Sequence, residues 1–222
     1  MAQLIRGLLA ANIARNLEAV RGEIADAGAD PAAVEILAAV KYVAVEELGV
    51  LGLAGVTLVG ENRAQDLQAK AAAGPELTWD FIGHLQSRKV KDVLPHVRLI
   101  HSVGSDSVLA QLERHAAPET EVLVEVNVAR EEGKSGIDPE GLGEFVARCP
   151  VRVGGLMTMP PLAARPEDSR RWFAALAQLA ADHGLPRLSM GTTQDFAVAV
   201  QEGATIVRIG TRLYEGLQDV GA

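Results

Sequence analysis

A chain of 222 residues is long enough for one sizeable core and short for two, and 48% hydrophobic with 23% charged residues is the balance of a soluble globular domain. Acidic residues outnumber basic ones 29 to 21, a net charge of −8 with histidine neutral, which excludes nucleic acid or an anionic membrane surface held by broad electrostatics. The single cysteine, Cys149, excludes an intrachain disulfide framework and fits a reducing cytoplasm.

The chain opens on a helical pattern in which Ile5, Leu9, Ile13, Leu17, Val20 and Ile24 form one apolar stripe, ended by Gly28 and Pro31. Arg6, Arg15 and Glu18 interrupt any signal-peptide pattern. Strand-like runs follow at 35–41, 56–60, 78–82, 97–101, 120–126, 151–156, 187–189 and 205–209, each followed by a helix or helical turn. In the helix expected over 166–183, Pro166 suits the first turn, Trp172, Phe173, Leu176 and Leu179 face inward, and Gly184 closes the end. The longest weakly polar run, 48–60, falls well short of the ~20 residues needed to span a membrane.

Eight such units are the number that closes a barrel, so the reading is an α/β fold: a single (β/α)8 TIM-type barrel over 1–222 with an extra N-terminal helix. A doubly wound open sheet would carry fewer strands and a glycine-rich first turn, where this chain has Lys41-Tyr42-Val43.

Function in such barrels sits at the carboxyl ends of the strands, with phosphate at the loops after strands 7 and 8. Those loops contain Gly191-Thr192-Thr193-Gln194-Asp195 and Gly210-Thr211, the small residues, hydroxyls and free amides of an anion cradle. The plainer reading of Thr193 and Thr211 is that they only cap helices. Alternation along the first and last strands aims Lys41 and Arg208 into the barrel mouth if Val40, Val207 and Ile209 pack outward. Two neighbouring cations favour the neutral amine of the lysine, the form that makes a Schiff base with an aldehyde. The alternative is that one of them reaches water or pairs with Glu61. The five histidines form no ligand-spaced set with cysteine or carboxylates, so no metal is expected. Cys149 reads as an inert packed thiol.

Several ordered segments then carry a resemblance. They are Ala38-Ala39-Val40-Lys41, Gly60-Glu61-Asn62-Arg63-Ala64-Gln65-Asp66, Phe81-Ile82-Gly83-His84-Leu85-Gln86-Ser87-Arg88-Lys89, His101-Ser102-Val103, Gly133-Lys134-Ser135-Gly136, Gly155-Leu156-Met157-Thr158-Met159, Leu188-Ser189-Met190-Gly191 and Gly203 to Thr211. With them the chain resembles, over nearly its whole length, the YggS/PROSC family of pyridoxal phosphate homeostasis proteins, whose barrel is similar to the N-terminal domain of alanine racemase. The resemblance implies that Lys41 holds pyridoxal 5′-phosphate as a Schiff base and that Arg208 approaches the pyridine nitrogen. It implies that Thr193, Gly210 and Thr211 hold the phosphate, and that Asn62, His84 and Met190 line the pocket.

Three positions depart from the family pattern: Thr193 stands where serine is common, Gly104 where aspartate is, and Arg212 where a small residue is usual. Thr193 keeps the hydroxyl, Gly104 loses a capping carboxylate, and Arg212 is expected to face solvent. An arginine beside the pyridine nitrogen weakens the electron sink, and neither Tyr42 nor Tyr214 is placed as a second acid or base. The expectation is a monomeric, cytoplasmic protein that binds and supplies the cofactor, with cofactor-requiring apoenzymes as partners and no catalytic cycle. The alternative is a small pyridoxal phosphate-dependent amino-acid racemase.

Overall fold

Eight β-branched runs become eight parallel strands in the computed structural model, which describes residues 4–74 and 76–216. They are β1 (Glu35–Ala39), β2 (Leu58–Glu61), β3 (Thr78–Phe81), β4 (Leu99–Val103), β5 (Glu121–Glu125), β6 (Arg152–Met157), β7 (Arg187–Thr192) and β8 (Ile206–Ile209). Each pairs with the next, and β8 returns to β1 with Leu37 opposite Arg208 and Ala38 opposite Ile209, so the barrel closes in chain order. Parallel neighbours require crossovers, and helices supply them.

Pleating divides every strand between two apolar environments. Leu37, Leu58, Leu99, Leu123, Met157 and Ile206 fill the barrel axis. Ala38, Val59, Ile100, Val122, Val124, Leu156 and Val207 point outward into the layer beneath the helices. Val40, Val207 and Ile209 are fully buried in that outer layer. Complete burial of each such leucine, isoleucine or valine contributes about 1.5–3 kcal/mol.

The N-terminal helix is shorter than its stripe. It spans α1 (Ala10–Asp26) and buries Ile13, Leu17, Val20 and Ile24. Gly28, at φ +94°, closes its carboxyl end, and its N–H donates to Ala25 O. Leu9 is half exposed at the N-cap, and Ile5 is not helical at all. Ile5 forms a parallel bridge to Val43, its N–H donating to Tyr42 O at 2.7 Å while Ala44 N–H donates to Ile5 O at 3.2 Å. The carboxylate of Glu47 accepts from the N–H groups of Gly7 and Leu8 at 2.8 and 3.0 Å. A four-residue spacing fits a helix, but here those open amides bind the loop that carries Lys41.

The remaining helices are α2 (Leu48–Leu53), α3 (Ala64–Ala73), α4 (Val90–Val93), α5 (Asp106–His115), α6 (Leu142–Arg148), α7 (Arg170–Asp182), α8 (Phe196–Gln201) and α9 (Thr211–Tyr214). Pro166 begins a short 3-10 turn before α7, whose buried face is Phe173, Leu176 and Ala180. Trp172 and Leu179 are only half-buried, and the Arg171 guanidinium stacks 4.3 Å from the Trp172 ring. Helix α1 lies against α9, where Asn16 donates to the carbonyls of Leu213 and Glu215, both at 3.1 Å. Arg212, expected in solvent, instead pairs with Glu23 of α1 because α1 crosses directly over α9. Gly104 precedes α5, whose N-cap Ser105 makes no capping bond, and a Cβ at Gly104 would lie 3.2 Å from Gly136 Cα. Cys149 is half-buried, and burial pushes its thiol up against a smaller opposing hydrogen bond from the Val151 backbone. Among the described residues no helix is long and apolar enough to cross a membrane, and no group of histidine, cysteine and carboxylate side chains could hold a metal.

Candidate functional site

The carboxyl ends of β7, β8, β1 and β2 adjoin around the barrel, so the residues that follow them face one region of the mouth. Strand β1 stops at Ala39, two residues before Lys41. The orientation of Lys41 is therefore set by the turn closed by Val43 N–H to Val40 O at 3.0 Å rather than by strand pleat. Its side chain is half-buried, with Nζ 4.7 Å from the centroid of the Tyr42 ring.

That turn is fixed from below by a buried ion pair. Lys70 on α3 donates to Glu61 Oε2 and to Val40 O, both at 2.6 Å. Glu61 Oε1 in turn accepts from the N–H groups of Asn62 and Arg63 at 2.7 and 2.9 Å. Glu61 thus pairs with Lys70, and neither Lys41 nor Arg208 is its partner. The strand pleat explains this, since Val59 and Glu61 both point toward the helices. Asn62 Oδ1 is buried and has no hydrogen-bond partner among the described residues.

Arg208 is fully inside the barrel. Its Nη1 donates to Ser189 O at 2.7 Å and Ser189 Oγ at 2.6 Å, and its Nη2 to Thr158 O at 2.8 Å and Met159 Sδ at 2.9 Å. Those contacts leave Nε–H as its one donor without a partner among the described residues. Burial pushes the guanidinium down to about 10, opposed by Asp195 and Glu125, so it stays cationic at neutral pH.

The loops after β7 and β8 are joined by one bond, in which Gly210 N–H donates to Thr193 Oγ1 at 3.1 Å. Thr193 and Thr211 are not the N-caps of α8 and α9; Asp195 and Gly210 hold those positions. Asp195 accepts from Thr192 N–H at 2.7 Å and from Thr192 Oγ1 at 3.1 Å, which shapes the first loop. Thr211 is exposed. Gly191 holds φ +87°, and a Cβ there would meet Ala199 Cβ at 2.6 Å and Phe196 Cα at 2.9 Å. Gly191→Ala is expected to cost about 3 kcal/mol through strain and overpacking, read as a lower urea midpoint at unchanged slope.

Met190 is a correction. It lies on the same side of β7 as Leu188, fully buried in the layer between barrel and helices, so its side chain does not line the mouth. His84 is exposed and lines two adjoining cavities. One, of about 250 Å³, also includes Ser102, Glu125, Asn127 and Lys134. The other, of about 280 Å³, also includes Asn62, Arg63, Arg88 and Lys89. A larger cavity of about 600 Å³, bordered by Arg21, Glu35, Thr57 and Arg98, opens at the opposite end of the barrel. Barrel chemistry belongs to the carboxyl face, and that larger cavity holds none of the site residues.

Asp80 and His101, both fully buried on the axis, complete a polar core beneath Arg208. His101 Nε2 is 3.1 Å from Asp80 Oδ2 and Nδ1 is 2.8 Å from Ser189 Oγ. Arg98 donates to Asp80 at 2.7 and 3.0 Å and to Glu35 at 2.6 and 3.1 Å. Burial holds His101 below the ordinary 6.5; Asp80 opposes this, while Arg208 and Arg98 reinforce it. A folded-state value below the unfolded one means that stability is full above about pH 6.5 and declines as pH falls through the histidine range. Denaturant unfolding between about pH 7 and about pH 5 should show this decline, by at most about 1.4 kcal/mol per unit for one proton, and His101→Asn should flatten it.

No family model matches the chain. It is 39% identical over 217 residues to a pyridoxal phosphate homeostasis protein of Aquifex aeolicus, covering 91% of this chain and 95% of the relative. A protein of the same name from Pseudomonas aeruginosa is 37% identical, covering 96% and 97%. The structure of PipY from Synechococcus elongatus with pyridoxal phosphate bound superposes with a TM-score of 0.76 at 30% identity, covering 91% of this chain and 99% of PipY. Alanine racemase from Corynebacterium glutamicum, at 17% identity and a TM-score of 0.69, shares the fold alone, over 100% of this chain and 65% of the racemase. By identity sustained over nearly the full length of both chains, this chain belongs to the family of pyridoxal phosphate homeostasis proteins.

Proposed function

We propose that the chain binds pyridoxal 5′-phosphate at the carboxyl face of its barrel, attached through Lys41, and holds and supplies the cofactor without turning over a substrate. The observation that carries this reading is Arg208, a buried cation with one donor still free, in a family where PipY has been seen with pyridoxal phosphate bound. The donor set fits the group. Lys41 provides an amine, Thr193, Gly210 and Thr211 provide hydroxyl and amide groups for a phosphate, and Asn62 and His84 border the space between.

When bound, pyridoxal phosphate supplies an aldehyde for a primary amine and a ring that withdraws electrons. Arg208 sets a limit on the second property, because a fixed cation disfavours another positive charge beside it. Of the two tyrosines, the buried one is also unsuited to turnover. Tyr214 is buried, its hydroxyl donates to Ala39 O at 3.3 Å, and burial pushes it well above the usual phenol range. Tyr42 lies beneath the Lys41 ammonium. Tyr214 is therefore not free to exchange a proton with a substrate.

We take the working form to be a single-barrel monomer that delivers cofactor to apoenzymes in the cytoplasm. Titration with pyridoxal phosphate should give a saturable visible band that borohydride removes. Incubation of the loaded protein with L-amino acids should leave their chirality unchanged. Racemisation would favour the enzyme reading, and absence of the band would overturn both.

A further inference from the structure

Arg208 donates four hydrogen bonds and can accept none, so every group around it must present a lone pair. Ser189 Oγ receives one of these donors at 2.6 Å and faces His101 Nδ1 at 2.8 Å. At the far side of the ring, Asp80 holds Nε2 at 3.1 Å and is itself bound by two donors from Arg98. An ionised carboxylate only accepts, so the imidazole proton sits on Nε2. Nδ1 is then an acceptor and takes the Ser189 hydroxyl proton, which leaves a Ser189 lone pair for Arg208. A charged ring would place two donors on the Ser189 oxygen and strand its hydroxyl proton inside the barrel.

We propose that His101, as its neutral Nε2–H tautomer, is a positioning residue that acts through Ser189 to hold Arg208 in place with its Nε–H available to the ligand. Every bond in this chain runs one way, from Arg208 to Ser189 to His101 to Asp80. The order gives the guanidinium a fixed orientation in a site where rotation would otherwise swap its donors. Burial favours the uncharged ring, in keeping with this assignment. The ligand end of the proposal rests on pyridoxal phosphate as the bound group; the hydrogen-bond chain itself does not.

Two measurements decide it. Nitrogen-15 NMR of the ligand-free protein reads the His101 tautomer directly, and a protonated Nε2 with a bare Nδ1 at neutral pH is expected. A charged ring or an Nδ1–H tautomer would overturn the relay whatever the ligand. Pyridoxal phosphate titrations of Ser189→Ala and His101→Asn should then show affinity about tenfold weaker, the usual weight of a hydrogen bond to a charged group. Both effects should vanish in an Arg208→Lys background, where there is no guanidinium to orient. Equal weakening in both backgrounds would mean that His101 merely packs, and would sink the positioning role. Failure of the wild type to bind would overturn the functional reading and with it the ligand end, while the tautomer still reports on the chain of bonds.

Discussion

Lys41→Ala is expected to abolish the borohydride-reducible absorption of the protein mixed with pyridoxal phosphate and to leave only a weak, exchangeable complex. The reasoning begins with what each group contributes. Thr193, Gly210 and Thr211 offer polar contacts on loops that remain in place in the variant, because the bond from Gly210 N–H to Thr193 Oγ1 that joins them does not involve Lys41. Arg208 likewise keeps all four of its Nη contacts. What disappears is the only bond to the ligand that does not exchange with water at each encounter. A loss on the order of 100-fold in affinity, about 3 kcal/mol, is expected, along with loss of cofactor on gel filtration. Lys41→Arg separates charge from chemistry, since guanidinium keeps the cation yet cannot condense with an aldehyde at neutral pH. It should behave as the alanine variant does. If Lys41→Ala kept the reducible band, another amine would be the attachment point, and Lys134 at the neighbouring mouth cavity would be the first to replace.

How much of this was legible in the sequence depended on whether a residue answered to a local pattern or to a distant partner. The eight strands were legible because β-branched runs of the right length recur between helical segments, and their edges moved by only a few residues. Ile5 and Leu9 misled because a spacing of four residues is helical only where the backbone amides are free to pair locally. Here Tyr42 and Ala44 lie alongside Ile5 and capture its amide and carbonyl. Met190 was misplaced because a motif match carries no facing information, whereas the alternation Leu188-Ser189-Met190 would have sent it outward. Arg212 was read as solvated because nothing in its neighbourhood announces Glu23, far away in the chain. Asp80 was overlooked altogether. The available signal was a lone carboxylate between Trp79 and Phe81 in a strand, which if buried requires a counter-charge within reach; Arg98 supplies it from the barrel's amino end.

Lys70 carried a similar unread signal. It follows Leu67 by three residues on α3, so it shares the helix face that turns inward, where a lysine persists only with a partner. Its partner Glu61 is 0% exposed, and the two close at 2.6 Å. Lys70→Ala would leave that carboxylate buried with only two backbone donors and deprive Val40 O of its side-chain donor. A cost of about 3–5 kcal/mol is expected from the uncompensated charge, a large share of the ~5–15 kcal/mol that holds a typical domain together. Equilibrium unfolding in urea measures it. Glu61→Gln should also destabilise, but the double variant Glu61→Gln with Lys70→Met should lose much less than the two single losses added, because no charge is then left behind. A Lys70→Ala cost below about 1 kcal/mol would mean that water reaches Glu61, and the pair would no longer explain the placement of Lys41. If the larger cost holds, the same two side chains anchor the fold and set the proposed attachment point. The Val40 carbonyl they fix adjoins Lys41 in the chain, and the backbone amide they fix is that of Asn62. Stability and ligand affinity should then fall together across substitutions at 61 and 70, while Gly191→Ala, in the loop proposed to hold the phosphate, should leave the Lys41 turn unchanged.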